Sequence, residues 1–119
     1  SYREFAEGPF LRARSMAWFW DAYCPDLARR SEITASPVRA SIDELRGLPE
    51  AFVIVDENDV LRDEGEAFGR KLDEAGVEVT TIRYNGTIHD FGLLNALAGE
   101  PETRSLFRHA AAELRKRLG

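Results

Sequence analysis

The clearest strand signal in the chain is the apolar run at residues 52–55, which reads Phe-Val-Ile-Val. A continuous run of aromatic and β-branched residues is typical of a strand that is buried on both faces of a parallel sheet. Three acids, Asp56, Glu57 and Asp59, follow the run. Because open α/β sheets place ligands and chemistry at the carboxyl ends of their strands, one of these acids is the first candidate for a catalytic group.

A helix and a second strand are predicted after these acids. Asp63 fits a helix N-cap, Glu66 completes a capping box, and Gly76 ends the helix as its C′ glycine. β-branched residues then predict a strand over residues 77–84, closed by a turn at residues 85–86. The result is a right-handed βαβ unit, in which both strands end at the same edge of the sheet. The buried stripe of the helix comprises Ala67, Phe68, Leu72 and Ala75.

An aromatic helix is predicted ahead of the first strand. Its apolar residues recur at helical spacing, and Pro25 ends the helix near Cys24. Two interpretations stay open: a helix docked on a core, or a lid whose aromatic side chains wall an acyl or aromatic pocket. The residues that would form the wall are Trp18, Phe19, Trp20 and Tyr23.

The remaining segments have weaker sequence patterns, so their structure is predicted in less detail. Residues 1–14 read as an arm or a short helix, and residues 25–50 as a connector with a short helix over residues 41–46. A final helix is predicted to begin at Thr103. Its apolar side consists of Leu106, Phe107, Ala110, Leu114 and Leu118.

Composition narrows the class of protein only modestly. A chain of 119 residues forms at most one domain, and 44% hydrophobic with 31% charged residues is ordinary for a globular protein. A net charge of −5 without a basic stripe argues against nucleic acid as a partner. No apolar run approaches the ~20 residues of a membrane span, and no signal peptide is visible, so a cytoplasmic location is expected. Cys24 is the single cysteine and is predicted to be a reduced, buried packing thiol.

The predicted topology brings an acid and a histidine together. Asp59 follows the first strand and His89 follows the second, so both are expected at one edge of the sheet. A carboxylate that accepts a hydrogen bond from an imidazole Nδ1–H fixes the tautomer of the ring. The free Nε2 then removes a proton from a hydroxyl nucleophile. Geometry alone does not distinguish a catalytic pair from a coincidence, since many βαβ loops carry an acid and a histidine by chance.

Several motifs resemble a known family. Asp59-Val-Leu-Arg-Asp-Glu-Gly65, Ala75-Gly-Val77, Arg83-Tyr-Asn-Gly86 and Ile88-His-Asp-Phe91 are similar to the C-terminal part of the hormone-sensitive-lipase-like carboxylesterases, a group of α/β-hydrolases. Upstream, the segment Trp18-Phe-Trp-Asp-Ala-Tyr23, Ser36-Pro37 and Gly47-Leu-Pro49 resemble the stretch that joins the cap of that family to its last core strands. The ordered series covers nearly the whole chain.

The resemblance implies a fold, an activity and two residue roles. Residues 1–50 would form a cap helix and connector, and residues 51–119 the C-terminal βαβα part of the α/β-hydrolase core. Asp59 would be the acid and His89 the base of a Ser-Asp-His triad that hydrolyses a small-molecule carboxylic ester, with no metal and no cofactor. The chain order of Asp before His agrees with that of the α/β-hydrolases.

Two departures from the family pattern qualify these roles. Asp90 stands where the family often has glycine after the catalytic histidine, so a second carboxylate sits beside the imidazole. The chain also contains no Gly-x-Ser-x-Gly motif and no Gly-rich oxyanion loop. We therefore interpret the chain as the C-terminal part of an esterase, which supplies the acid and the base and is inactive by itself.

Other classes of function remain as alternatives. An interaction module would use Trp18 and Trp20 as its contact surface. A receiver-like domain would use Asp56, Glu57 and Asp59 to hold Mg²⁺, although it needs more parallel strands than the sequence predicts. The exposed edge of the first strand, or a swap of the aromatic arm, also predicts a homo-oligomer.

Overall fold

The computed structural model describes residues 1–118 of the chain. Two parallel strands and one connecting helix form its centre, as the α/β prediction requires. Short 3₁₀ turns at Arg29–Ser31, Pro37–Arg39 and Asn95–Leu97 link the longer elements. The helices and strands, in chain order, are α1 (Ala13–Tyr23), α2 (Ile42–Leu45), β1 (Ala51–Asn58), α3 (Arg62–Glu74), β2 (Val79–Ile88) and α4 (Pro101–Leu118).

The strands β1 and β2 pair in parallel and form the sheet of the described chain. Pairing is regular from Ala51 opposite Val79 to Asp56 opposite Tyr84, and it resumes at Asn58 opposite Ile88. The predicted strands at residues 52–55 and 77–84 are therefore confirmed, but both extend further at their carboxyl ends, to Asn58 and to Ile88. The predicted closing turn at residues 85–86 is wrong, because β2 carries two extra residues there as an irregularity within the strand.

The irregularity in β2 has a local cause. Gly86 adopts a φ of 75°, a left-handed conformation that favours glycine. Its N–H donates a hydrogen bond of 2.6 Å to the Glu57 carboxylate on β1. The side chain of Glu57 thus replaces the missing backbone partner, which lets β2 continue to Ile88 and carry His89 to the end of the sheet.

The start of α3 differs from the predicted capping box. The helix begins at Arg62, and Leu61 occupies the N-cap without any side-chain cap. Asp63 lies inside the first turn, where its carboxylate accepts a 3.0 Å hydrogen bond from Arg62 Nε. The loop before the helix is instead held by Asp59, whose Oδ1 accepts a 3.0 Å hydrogen bond from the Leu61 N–H. The predicted C′ glycine is confirmed, since Gly76 has a φ of 78°.

The core lies on the α3 side of the sheet. It packs α3 against the strands and against the α2 region, where Ser41 and Glu44 form a capping box. Close contact between α3 and the sheet depends on two glycines. A Cβ at Gly65 would lie 2.6 Å from Val55 Cγ1, and one at Gly69 would overlap Thr81 Oγ1. The buried cluster consists of Ala40, Leu45, Leu72, Ala75 and Val77.

The helices α1 and α4 bury little within this chain. No residue of α1 is buried, so the interpretation of a helix docked on a core is wrong for the described residues. Cys24 is only partly buried, in contrast to the packed thiol predicted for it. The predicted apolar side of α4 exists, but 54% of Phe107, 58% of Leu114 and 79% of Leu118 is exposed. Phe107 and Leu114 border open cavities beside the strands, so their apolar surface is only partly covered within residues 1–118.

The first prediction concerns the contact between α3 and β2. Gly69→Ala should lower the free energy of unfolding by about 1–3 kcal/mol, because the added methyl group must displace Thr81 or the helix. Gly99→Ala is the matched control, since a Cβ there meets no atom within 4 Å. Urea denaturation of both variants measures the difference. Equal stabilities would contradict the tight packing described here.

The second prediction concerns the free edge of β1. Within residues 1–118 β1 pairs with β2 alone, so one row of its backbone N–H and C=O groups has no strand partner. Such an edge recruits another chain. We expect the 119-residue chain to self-associate at micromolar concentration, through this edge or by exchange of α1. Light scattering tests the expectation, and a monomer at all concentrations would contradict it.

Candidate active site

Asp59 and His89 meet at the carboxyl end of the sheet. Asp59 directly follows β1 and His89 directly follows β2, so the parallel pairing brings them together. The distance from His89 Nδ1 to Asp59 Oδ2 is 2.9 Å, which confirms the predicted hydrogen bond. Asp59 is 5% exposed, and its second oxygen is held by the Leu61 N–H. The carboxylate is thus fixed from both sides, and the imidazole takes its orientation from it.

Two residues in unusual backbone conformations flank the imidazole. Phe10 and Asp90 are the non-glycine residues of the described chain with positive φ, at 66° and 61°. The Phe10 ring stacks beside His89 at 6.5 Å between centroids and 28° between planes. Asp90 Oδ1 lies 3.6 Å from His89 Nε2, too far for a hydrogen bond. Since strained backbone concentrates at functional sites, both conformations mark the region around Nε2.

A third acidic group lies beside the pair. The Asp56 side chain is 8% exposed, and its burial raises its pKa to about 6, with a further increase from the charge of Asp59. Ligand atoms of Asp56, Asp59 and His89 lie within 4.8 Å of one another, so these three residues could hold a metal ion. Glu57, which the receiver-like alternative required as a ligand, instead accepts the hydrogen bond from Gly86.

The N-terminal segment packs onto the loop that carries Asp59. Ser1 Oγ donates a 2.7 Å hydrogen bond to the Val60 carbonyl, and Glu4 accepts one of 2.7 Å from Arg62. Arg62 also donates to the Glu57 carbonyl at 2.9 Å. Burial, followed by the charges of Glu64 and Asp59, raises the pKa of Tyr2 to about 12. This segment was predicted only as an arm or a short helix.

The sequence contained no periodic signal for this packing. Its few apolar residues are irregularly spaced, and Leu11 is the one that becomes buried. The ring of Phe5 lies under the Arg62 guanidinium at 5.2 Å. Contacts of this kind join residues almost sixty positions apart, so only the tertiary structure reveals them.

An open cavity of about 400 Å³ adjoins the Asp59–His89 pair. Apolar side chains from the loop after β2 and from α4 line it, including Leu93, Leu106 and Phe107. The aromatic residues predicted to wall a pocket do not reach this cavity. Phe19, Trp20 and Tyr23 line a separate depression beside Ala35, and Trp18 is 65% exposed. No helix among residues 1–118 is both long and apolar enough to cross a membrane.

The parallel strands, the helix between them and the paired Asp and His at one edge define part of an α/β-hydrolase. The chain belongs to the α/β-hydrolase fold family, whose sequence model matches residues 1–93. This assignment confirms both the predicted family and the predicted fold class.

Its relatives include esterases of bacteria and fungi. The structure matches a thermostable esterase from Pseudomonas putida ECU1011 with a TM-score of 0.97 and 53% identity, over 99% of this chain and 37% of that one. Brefeldin A esterase, a bacterial homologue of human hormone-sensitive lipase, matches with a TM-score of 0.82 and 38% identity, over 88% of this chain and 29% of that one. An esterase of Gibberella moniliformis is 36% identical over 98% of this chain and 37% of its own length. The chain thus spans between 29% and 37% of the length of these relatives.

The third prediction concerns Asp56 and pH. Because its pKa is about 6 in the folded state and 3.8 ordinarily, the folded state binds the proton more tightly than the unfolded state. The contribution of Asp56 to the free energy of unfolding should therefore fall as pH rises from about 4 to about 6 and stay low above that range. Asp56→Asn should remove this loss and raise the free energy of unfolding at pH 8 by roughly 2–3 kcal/mol, with little change at pH 3.5.

Urea denaturation at the two pH values measures this difference. Asp43→Asn is the control, because the Asp43 side chain is 88% exposed and should change stability little at either pH. A stabilisation by Asp56→Asn that is the same at pH 3.5 and pH 8 would contradict the raised pKa.

Proposed function

We propose that this chain supplies the acid and the base of a serine carboxylesterase. The observation that carries the proposal is the buried Asp59 carboxylate 2.9 Å from His89 Nδ1. Membership of a hydrolase family with named esterases supports it. Metal-free acyl transfer uses the same arrangement of a buried carboxylate, an oriented imidazole and a free Nε2.

In the proposed reaction, Asp59 keeps the His89 proton on Nδ1 and leaves a lone pair on Nε2. Nε2 takes the proton of a serine hydroxyl as the serine oxygen attacks the ester carbonyl, and the negative charge of Asp59 stabilises the imidazolium. The imidazolium then gives that proton to the departing alcohol as the acyl-enzyme forms. Water repeats the sequence: His89 removes its proton, the acid is released and the serine is restored.

The nucleophile of this reaction must come from outside the 119 residues. No serine of the chain lies in a Gly-x-Ser-x-Gly context. Among residues 1–118, no serine hydroxyl forms a hydrogen bond with His89. We propose that the nucleophile and the oxyanion donors lie in the part of the relatives that this chain does not span.

In that assembly, we propose that α1 serves as a lid. Exposed Trp18, Phe19 and Tyr23 would be covered by substrate or by the rest of the fold. The same exposed aromatics also favour a second candidate, a non-catalytic interaction module, since aromatic side chains are frequent anchors in protein interfaces. Only the esterase requires Asp59 and His89 for turnover.

A chimera tests the esterase proposal directly. This chain would replace the matching segment of the Pseudomonas putida esterase, to which it is 53% identical. The chimera should hydrolyse 4-nitrophenyl acetate, and His89→Ala or Asp59→Asn should lower kcat by about 10³-fold or more. His109→Gln is the matched control on the other histidine of the chain, which is exposed on α4, and glutamine keeps a hydrogen-bonding group for the Tyr84 hydroxyl that lies 2.8 Å from His109 Nδ1. A folded chimera whose turnover is unaffected by His89→Ala would contradict the assigned base.

The chain by itself should have no esterase activity. Without a hydroxyl nucleophile or paired oxyanion donors, Asp59 and His89 have no group to activate, and those donors contribute a large part of the rate. Hydrolysis of 4-nitrophenyl acetate by the purified 119-residue chain should not exceed that of free imidazole at equal concentration. Turnover that survives repurification and disappears in His89→Ala would show that the chain contains a nucleophile.

A further inference from the structure

The acid–base pair lies beside a buried carboxylate that the esterase reaction does not use. Asp56 is 8% exposed and Asp59 5% exposed, yet within residues 1–118 neither carboxylate forms an ion pair with an arginine or a lysine. His89 is the one basic group beside them. Two buried carboxylates close together repel each other, and a bound cation removes that repulsion.

Asp56 is directed toward the other two residues but has no protein partner. Among the described residues its carboxylate accepts no hydrogen bond, and no buried side-chain oxygen or nitrogen lacks a partner, so the Asp56 carboxylate opens into the cavity that it lines. A carboxylate that faces a cavity beside a second carboxylate and an imidazole is available as a ligand for an ion. Its ligand atom lies within 4.8 Å of those of Asp59 and His89, which makes a bound ion the natural partner.

The donor set selects the kind of ion. Two carboxylate oxygens and one imidazole nitrogen suit Zn²⁺ or Co²⁺, whereas Mg²⁺ and Ca²⁺ prefer oxygen ligands alone. Bonds of about 2.0–2.2 Å in tetrahedral geometry place ligand atoms roughly 3.3 Å apart. The three groups are within 4.8 Å, so small side-chain movements complete the site. The adjoining cavity of about 400 Å³ leaves room for water in the open position.

We propose that Asp56, Asp59 and His89 form a binding site for a divalent transition metal, with Zn²⁺ as its representative, and that the metal switches off the acid–base pair. The ion takes the lone pair of His89 Nδ1. The Nδ1 proton leaves to solvent and Nε2 takes up a proton from solvent, so the ring stays neutral and carries its proton on Nε2. Nε2 then has no lone pair, so it cannot act as a base toward a hydroxyl group. Metal binding and ester hydrolysis are thus mutually exclusive.

Metal binding can be measured without any esterase activity. Zn²⁺ is titrated into the 119-residue chain by calorimetry, with ¹⁵N NMR of the imidazole nitrogens. One Zn²⁺ per chain should bind, and NMR should show the His89 proton on Nε2. Asp56→Asn and His89→Gln should each weaken binding at least tenfold, whereas His109→Gln should leave it unchanged. Asp56→Glu should restore part of the affinity, and Mg²⁺ alone should not shift the His89 signals.

Several outcomes would overturn the metal site. Unchanged Zn²⁺ affinity in Asp56→Asn would show that the ion binds without Asp56, and loss of affinity in His109→Gln would place the ion on α4. Circular dichroism confirms that each variant is folded. In the active chimera, Zn²⁺ should inhibit hydrolysis, and Asp56→Asn should require at least tenfold more Zn²⁺ for half inhibition of its own rate. An inactive chimera would overturn the esterase proposal. It would not affect the metal-site proposal, because calorimetry measures Zn²⁺ binding without turnover.

Discussion

The parallel pairing of β1 with β2 is the constraint on which the candidate site depends. Asp59 and His89 are thirty positions apart in the sequence, and the whole of α3 lies between them. Parallel strands end at one edge, so the residues that follow each strand share that edge. The irregularity near Gly86 completes the alignment, because it carries β2 on to Ile88, opposite Asn58. A shift of the register would separate the imidazole from its carboxylate.

Asp59 couples the fold of the loop to the chemistry of the site. One carboxylate oxygen accepts the Leu61 N–H and shapes the turn before α3, while the other accepts the hydrogen bond of His89. Arg62 adds a second connection, from the Glu57 carbonyl at the end of β1 to Glu4 in the N-terminal segment. Stability and proposed function thus share the same atoms, so a substitution at Asp59 affects the loop as well as the imidazole.

Sequence patterns predicted the parts of the fold in which local and tertiary preferences agree. The apolar run at residues 52–55 and the left-handed glycine at Gly76 each determine an element without distant partners. The capping box at Asp63 failed because the helix already begins at Arg62, and the Gly65 N–H that Asp63 would have capped donates to the Leu61 carbonyl. The turn at residues 85–86 failed for a similar reason, the hydrogen bond from Gly86 to Glu57. Family resemblance, rather than periodicity, singled out Asp59 and His89.

This chain contains the acid–base pair, but the proposed reaction needs more than this chain. The exposed apolar side of α4 and the free edge of β1 explain that difference. The TM-score of 0.97 shows that the chain has the conformation of the matching third of a complete esterase. Within residues 1–118, the core covers the sheet from the α3 side, whereas Phe107 and Leu114 of α4 are more than half exposed and border open cavities beside the strands. The geometry of the acid–base pair therefore depends on the βαβ unit and on the N-terminal segment that packs on the Asp59 loop and on His89. The proposed catalysis needs a hydroxyl group held near Nε2, and no serine among residues 1–118 forms a hydrogen bond with His89.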